Sequence, residues 1–324
     1  MTDTTLSRRH LLVGASATAA AGFAGSASPG AAKAPLLKTQ APAFYRFNVG
    51  GIEATVVSDG VIVGVTKTTF VGPAATNVEK MMTDLFLPTD KFVMDQNALV
   101  INTGDKLALF ETGMASVKRN DDMGLLVGNL KAAGIEPKDI DYLIPSHAHI
   151  DHIGGIVGAD DKSLFPNAQF YIAQSDFEFW TDESKVGGPL KDFVLHARKN
   201  LLPVRDRLVF FKDGQEFLPG VQAIAAPGHT VGHTIFMVTS EGKSFAFLGD
   251  LTHHAILLLE KPRMEFSYDT DPKQAANTRV KLLDMIAANK TPIMSYHFAW
   301  PGYGHIVKTS EGFHYIAEPM IMTL

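Results

Sequence analysis

Four side chains able to hold a metal ion fall within six residues, His147, His149, Asp151 and His152, in the run His-Ala-His-Ile-Asp-His that precedes Gly154-Gly155. With 12 histidines in 324 residues, a chance match to this pattern is on the order of one in a thousand. Residues two apart in an extended loop point to the same side. His147 and His149 can therefore converge on one ion while Asp151 and His152 reach a second beside it. The chain has no cysteine, which removes disulfides, thiolate ligands and a cysteine nucleophile, and leaves His, Asp and Glu to hold any metal. Further donors stand where expected strands stop: His229 in Ala-Pro-Gly-His-Thr, Asp250 in Leu-Gly-Asp, and His297 in Ser-Tyr-His. Alone, each reads as an ordinary polar loop residue. Beside the six-residue run they read as ligands brought to one edge of a layered fold.

Taken together, His147-x-His149-x-Asp151-His152, Pro227-Gly228-His229-Thr230-x-Gly232-His233, Leu248-Gly249-Asp250 and His297 resemble the ligand set of the metallo-β-lactamase superfamily. The resemblance implies an α/β fold, the four-layer αβ/βα sandwich, over residues 35–324. It also implies one ion on His147, His149 and His229, another on Asp151, His152 and His297, and Asp250 bridging both. A finer similarity over about 45–316 is to methyl parathion hydrolase and the related lactonases and aryl esterases. Tyr45-Arg46, Val57-Ser58-Asp59-Gly60, Phe165-Pro166-Asn167-Ala168, Phe179-Trp180 and Pro301-Gly302-x-Gly304-His305 are among the segments that carry it. Three departures stand out. Glu111-Thr112-Gly113 replaces the family's Asp-Thr-Gly, Val117-Lys118-Arg119 replaces an aromatic stretch, and Thr252-His253-His254 replaces an apolar run. A more polar rim favours lactones or esters over organophosphates.

Nitrogen and carboxylate ligands make two divalent ions, Zn²⁺ by default with Mn²⁺, Fe²⁺ or Co²⁺ also suited, the expected cofactors. A pair about 4 Å apart lowers the pKa of a shared water towards about 7, so a metal-bridging hydroxide is the expected nucleophile, with Asp151 and Asp250 as the catalytic carboxylates. Phe179, Trp180, His253, Tyr268 and Phe298 are the expected substrate-binding residues, with Phe92, Phe193, His196, Phe266 and Trp300 as further candidates. For any one of them alone, packing is the commoner role. His253 is also a weak candidate for a protein acid. With both coordination shells filled, His233 and His305 read as hydrogen-bonded structural histidines.

These side chains need a scaffold. Residues 44–49 and 52–57, joined at Gly50-Gly51, read as a hairpin, as do 98–101 and 107–110. A helix is expected over 123–133, capped by Asp121 or Asp122 and stopped at Gly134. Residues 142–145 read as a buried strand running into the histidine loop. Further strands are expected at 168–173, 208–211, 221–225, 235–238 and 244–248, and helices near 175–181 and 189–199. Asp271 caps a late helix with Pro272 at its first position. A strand at 292–296 and a closing pair at 306–308 and 313–316 complete the reading.

A chain that is 46% hydrophobic and 19% charged is a soluble globular protein, and a net charge of −5 without like-charge runs gives no support to nucleic-acid binding. Ser7-Arg8-Arg9 before an Ala-rich apolar stretch, ending at Pro29-Gly30, has the layout of a twin-arginine export signal within residues 1–34. A periplasmic or secreted location follows, with no stable membrane insertion once the signal is removed. The expectation is an exported dinuclear hydrolase of small neutral lactones, aryl esters or organophosphate triesters, able to form a homodimer. The alternatives are a β-lactamase, a mononuclear iron persulfide dioxygenase on the same fold, and a binding or structural role.

Overall fold

Apolar strands, several of them buried on both faces, build two seven-stranded sheets. A computed structural model describes residues 36, 40, 43–115 and 120–324; the expected export segment and Val117, Lys118 and Arg119 lie outside the described residues. The first sheet runs β1 (Phe44–Val49), β2 (Ile52–Val65), β4 (Lys91–Asn102), β5 (Leu107–Phe110), β6 (Tyr142–Ile144), β7 (Gln169–Ala173) and β8 (Leu208–Phe211). It is antiparallel up to β5 and parallel from β5 to β8. The second runs β16 (Phe313–Ala317), β15 (Tyr303–Lys308), β14 (Ile293–Met294), β12 (Lys243–Phe247), β11 (Thr234–Ser240), β10 (Val221–Ala225) and β9 (Glu216–Leu218).

Side chains of both sheets share one core, in which Leu99, Leu109, Phe110 and Ile144 of the first meet Phe236, Val238, Phe245 and Phe247 of the second. Neighbours in the sequence go the other way. Ile235, Ala246 and Ile293 pack instead with Leu282, Leu283 and Ile286 of the helix Pro272–Ala288, which covers the outer face of the second sheet. On the first sheet, Leu126, Leu130, Val194, Ala197 and Leu201 of the helices Leu126–Ala132 and Lys191–Leu201 join the core from outside. Helix, sheet, sheet, helix is the αβ/βα sandwich.

Two expectations need correction. The helix expected from residue 123 begins at Leu126, and neither Asp121 nor Asp122 caps it. Asp59, at the bend in β2, reaches across and its Oδ1 accepts from the Leu126 N–H at 2.8 Å, so a distant carboxylate takes the place of a local cap. The second correction concerns β2 and β4, expected to stop at Val57 and start at Ala98. A bulge between Ser58 and Val61 bends the pair, and the ladder continues to Val65↔Lys91. This arm carries the one-turn helix Thr66–Thr69, β3 (Phe70–Val71) and the helix Val78–Asp84, and β3 pairs with β13 (Glu265–Phe266). Phe70, Met82, Phe92, Met94, Leu257, Leu258, Met264 and Phe266 form its own small core beside the strand ends.

Candidate metal centre and active-site cleft

Loops after strands deliver every donor. β6 ends at Ile144, His147 follows in a bend and His149 in extended backbone, and the one-turn helix Ile150–Ile153 presents Asp151 and His152. The buried Asp176 fastens this loop to the next: its Oδ2 accepts from Ala148 N at 2.6 Å and its Oδ1 from Gly232 N at 2.8 Å. His229 lies beside Gly228, whose φ of +129° and close backbone approach leave no room for a Cβ, since one would stand 2.2 Å from Ala275 N. Asp250 follows β12 and His297 follows β14.

The seven sequence-predicted donors meet at one place. His147, His149 and His229 form one group of mutually close ligand atoms, and Asp151, His152 and His297 form another. Asp250 stands between them. Its Oδ2 is 3.1 Å from His229 Nε2 and 3.8 Å from His147 Nε2, while its Oδ1 is 3.2 Å from His152 Nε2 and 3.3 Å from His297 Nε2. One carboxylate thus turns one oxygen to each group. Asp151 Oδ2 completes the second at 3.5 Å from His152 Nε2 and 3.4 Å from His297 Nε2.

The far nitrogen of each of four rings is held from behind. His147 Nδ1 is 3.0 Å from Ser146 Oγ, His152 Nδ1 is 3.1 Å from Glu111 Oε2, His229 Nδ1 is 2.8 Å from Asp269 Oδ1, and His297 Nδ1 donates to the Asp95 carbonyl at 2.8 Å. Such partners hold the ring planes with Nε2 facing inward. Burial alone would raise the Asp250 carboxyl, but His152, His297 and His253 hold it well below its ordinary range. Burial would likewise lower His297, yet Asp250 and Asp151 push it up to about 10, and His229 is pushed up to about 9 against burial by Asp250 and Asp269. Burial, joined by the neighbouring imidazoles, drives His147 and His149 far down. A buried carboxylate pair is being balanced by positive charge at the imidazoles, a task a cation performs better. Asp250 Oδ1 and His152 Nε2 give a second sign: both are buried, close, and without a hydrogen-bond partner. They converge without pairing, as lone pairs aimed at a shared cation do, so the donor set fits a metal site.

Residues 92–297 match the model of the metallo-beta-lactamase superfamily. The chain belongs to that superfamily. N-acyl homoserine lactonase from Bacillus sp is 27% identical over 187 residues, which cover 58% of this chain and 64% of the relative, a little under two thirds. N-acyl homoserine lactonase AttM from Azorhizobium caulinodans is 32% identical over 118 residues, covering 35% of this chain and 41% of that one. AidC, a dizinc quorum-quenching lactonase solved with a product, superimposes with a TM-score of 0.81 at 29% identity, over 86% of this chain and 98% of that one. The crystal structure of the hydrolase AbOPH gives 0.81 at 26% identity, over 87% and 100%.

In this member of the superfamily the donors open on a cleft of about 150 Å³. Ile62, Val63 and Met94 of the β2–β4 arm, with Met114, Met123, Ile150, Phe193 and Phe266, make its walls apolar, and His149, Asp151, His229, Asp250, His253 and His297 make its base. Of the expected substrate contacts, His253 and Tyr268 line it, Tyr268 half exposed at the rim. Three expectations are corrected. Trp180 is buried behind His149, ring centroids 5.0 Å apart, so it props the ligand. Phe179 packs on the main core under Lys185 Nζ, which sits 4.7 Å from its ring. Phe298 belongs to the core under the second sheet, 5.0 Å from the Tyr315 ring. Among the further candidates Phe193 and Phe266 line the cleft, whereas Phe92, His196 and Trp300 do not.

His233 is structural: Nδ1 donates to the Ala226 carbonyl at 3.0 Å and Nε2 accepts from Asp250 N at 2.9 Å. His305 Nε2 faces Glu318 Oε2 at the surface, 3.2 Å away. The sequence reading missed Asp59, Asp176, Asp269 and Arg279. Arg279 is buried, donates to the carbonyls of Leu251, Pro262 and Met264, and lies 3.7 Å from Asp269 Oδ2. Nothing local marked these residues. Their partners lie 10 to 67 positions away in the chain.

Proposed function

We propose that the protein is a dinuclear hydrolase of small neutral lactones and aryl esters, with phosphotriesters as secondary substrates, exported through the signal at residues 1–34. The observation that carries the reading is Asp250, with one carboxylate oxygen turned to His147 and His229 and the other to His152 and His297. His147, His149 and His229 would hold one ion, Asp151, His152 and His297 the other, and Asp250 both; zinc is the first choice for such donors, and a TM-score of 0.81 to a dizinc lactonase supports it. Divalent cations held there supply a hydroxide at neutral pH and polarise the bond under attack.

The chain's own residues do the rest. Asp151 and Asp250 fix the two positions against each other, and the buried carboxylates Glu111 and Asp269 hold His152 and His229 in register. Ile62, Met94, Phe193 and Phe266 exclude water and take an acyl or aryl group. The apolar wall supports small neutral substrates. The similarity to N-acyl homoserine lactonases points the same way.

The test is a kcat/KM panel on metallated protein with dihydrocoumarin, acyl-homoserine lactones, p-nitrophenyl acetate, methyl parathion and nitrocefin. Lactones or aryl esters should lead by at least about tenfold, roughly 1.4 kcal/mol in transition-state binding, and chelation should abolish turnover. Nitrocefin in the lead, or one iron per chain with oxygen uptake on a persulfide, would overturn the reading. Export is checked by fractionating cells with Arg8→Lys and Arg9→Lys together; retention of the precursor in the cytoplasm is the expected outcome.

A further inference from the structure

A sixth imidazole reaches the centre. His253 is buried, lines the cleft, and places Nε2 2.9 Å from Asp250 Oδ2, the oxygen that faces His147 and His229. With His229 and Asp250 it forms a group close enough to hold an ion, so its position alone allows it to be a ligand. Its other nitrogen argues otherwise. Nδ1 of His229 and of His297 faces an oxygen that can only accept, the Asp269 carboxylate and the Asp95 carbonyl, which puts the proton there and leaves Nε2 for a metal. His253 Nδ1 is buried with no partner. A carboxylate oxygen only accepts, so the His253 proton belongs on Nε2, the tautomer opposite to that of a ligand. The ring is fixed in this pose by Phe266, stacked at 3.9 Å and 18°, and by its contact with the His297 ring at 5.4 Å and 17°.

We infer that His253 is a positioning residue, not a ligand: its Nε2–H clamps Asp250 Oδ2 and fixes the carboxylate in the orientation that turns one oxygen to each donor group. Without the clamp the carboxylate is free to rotate about its Cβ–Cγ bond, and both groups lose a fixed donor. The inference rests on the reading of the centre as a metal site.

Two variants separate a donor from a ring. His253→Phe keeps a ring for Phe266 and removes the N–H; His253→Gln gives up the ring but can place its amide N–H where Nε2 stood. The readouts are the ion count per chain, zinc affinity by competition with a chromophoric chelator, and the visible spectrum of the cobalt-substituted protein. His253→Phe should weaken metal binding about 10- to 100-fold and alter the cobalt spectrum, and His253→Gln should restore both close to wild type. If His253→Gln behaves like His253→Phe, the ring or a direct metal bond matters and the clamp is wrong. Unchanged values in both variants also overturn it. If wild-type protein itself takes up no ion, the metal-site reading has failed, a result distinct from either of these.

Discussion

Asp269 shows how one buried side chain can reach the chemistry without touching substrate. Its Oδ1 lies 2.8 Å from His229 Nδ1, and its Oδ2 faces the guanidinium of Arg279, which is itself pinned by three carbonyls. The carboxylate makes His229 a better donor and fixes its ring plane. Asp269→Asn keeps the shape and removes the charge. It should cost about 10- to 100-fold in metal affinity, read by chelator competition, with the circular dichroism spectrum unchanged. Wild-type affinity would show that the charge plays no part. Glu111 does the same for His152 from a backbone at φ +67°, a conformation that costs of order 1–3 kcal/mol in a side-chain-bearing residue and is held in place by its carboxylate accepting from Ser146 N.

At the scale of elements, the turn after Asp250 is built on a neutral histidine. His254 Nδ1 accepts from Ile256 N and Leu257 N, each at 3.2 Å, capping the one-turn helix Leu257–Glu260, and its ring meets the edges of Phe70 and Phe92. Burial among these groups, with no charge facing it, lowers its pKa from 6.5 to about 4. The folded state therefore holds fewer protons than the unfolded state across that window. The resulting stability is complete above pH 6.5 and is lost as the pH falls towards 4, up to about 3 kcal/mol in all. His254→Asn, which keeps an acceptor near the position of Nδ1, should flatten this slope. The check is urea unfolding at pH 7.5, 6 and 5 of both proteins at equal metal content; parallel slopes would contradict it.

Elements of this kind also mark where the sequence could be read. Long alternating runs and the Asp271-Pro272 start of the last helix were legible because their signal is local, and the Asp271 side chain does accept from Gln274 N at 2.9 Å. The donors were legible for the same reason: four of seven lie within six residues. The β2–β4 arm was not, since its bulge and its short helices carry no period long enough to see, and it supplies the Ile62 and Met94 wall of the cleft. Aromatic side chains misled most. Trp180 sits in a stretch that carries the family resemblance and Phe298 follows His297, but the side-chain direction that separates propping a ligand from facing substrate is set by tertiary packing.

For the whole molecule, the centre sits where the two sheets and the arm meet, so ions held there tie together the loops after β6, β10, β12 and β14. Metal removal should be felt globally. With free ion at about a thousandfold above Kd, each site adds on the order of 4 kcal/mol, and stripping both should lower Tm by on the order of 10 °C or more in a scanning calorimeter, reversibly on adding zinc. A chelated sample that melts with the untreated one would show the donors hold nothing.

The most direct measurement is a crystal of the zinc-loaded protein with anomalous data collected on both sides of the zinc edge. Two peaks are expected, one within about 2.0–2.2 Å of donors from His147, His149 and His229 and the other equally close to Asp151, His152 and His297, with an Asp250 oxygen on each. One peak, none, or peaks away from these seven side chains would contradict the dinuclear centre.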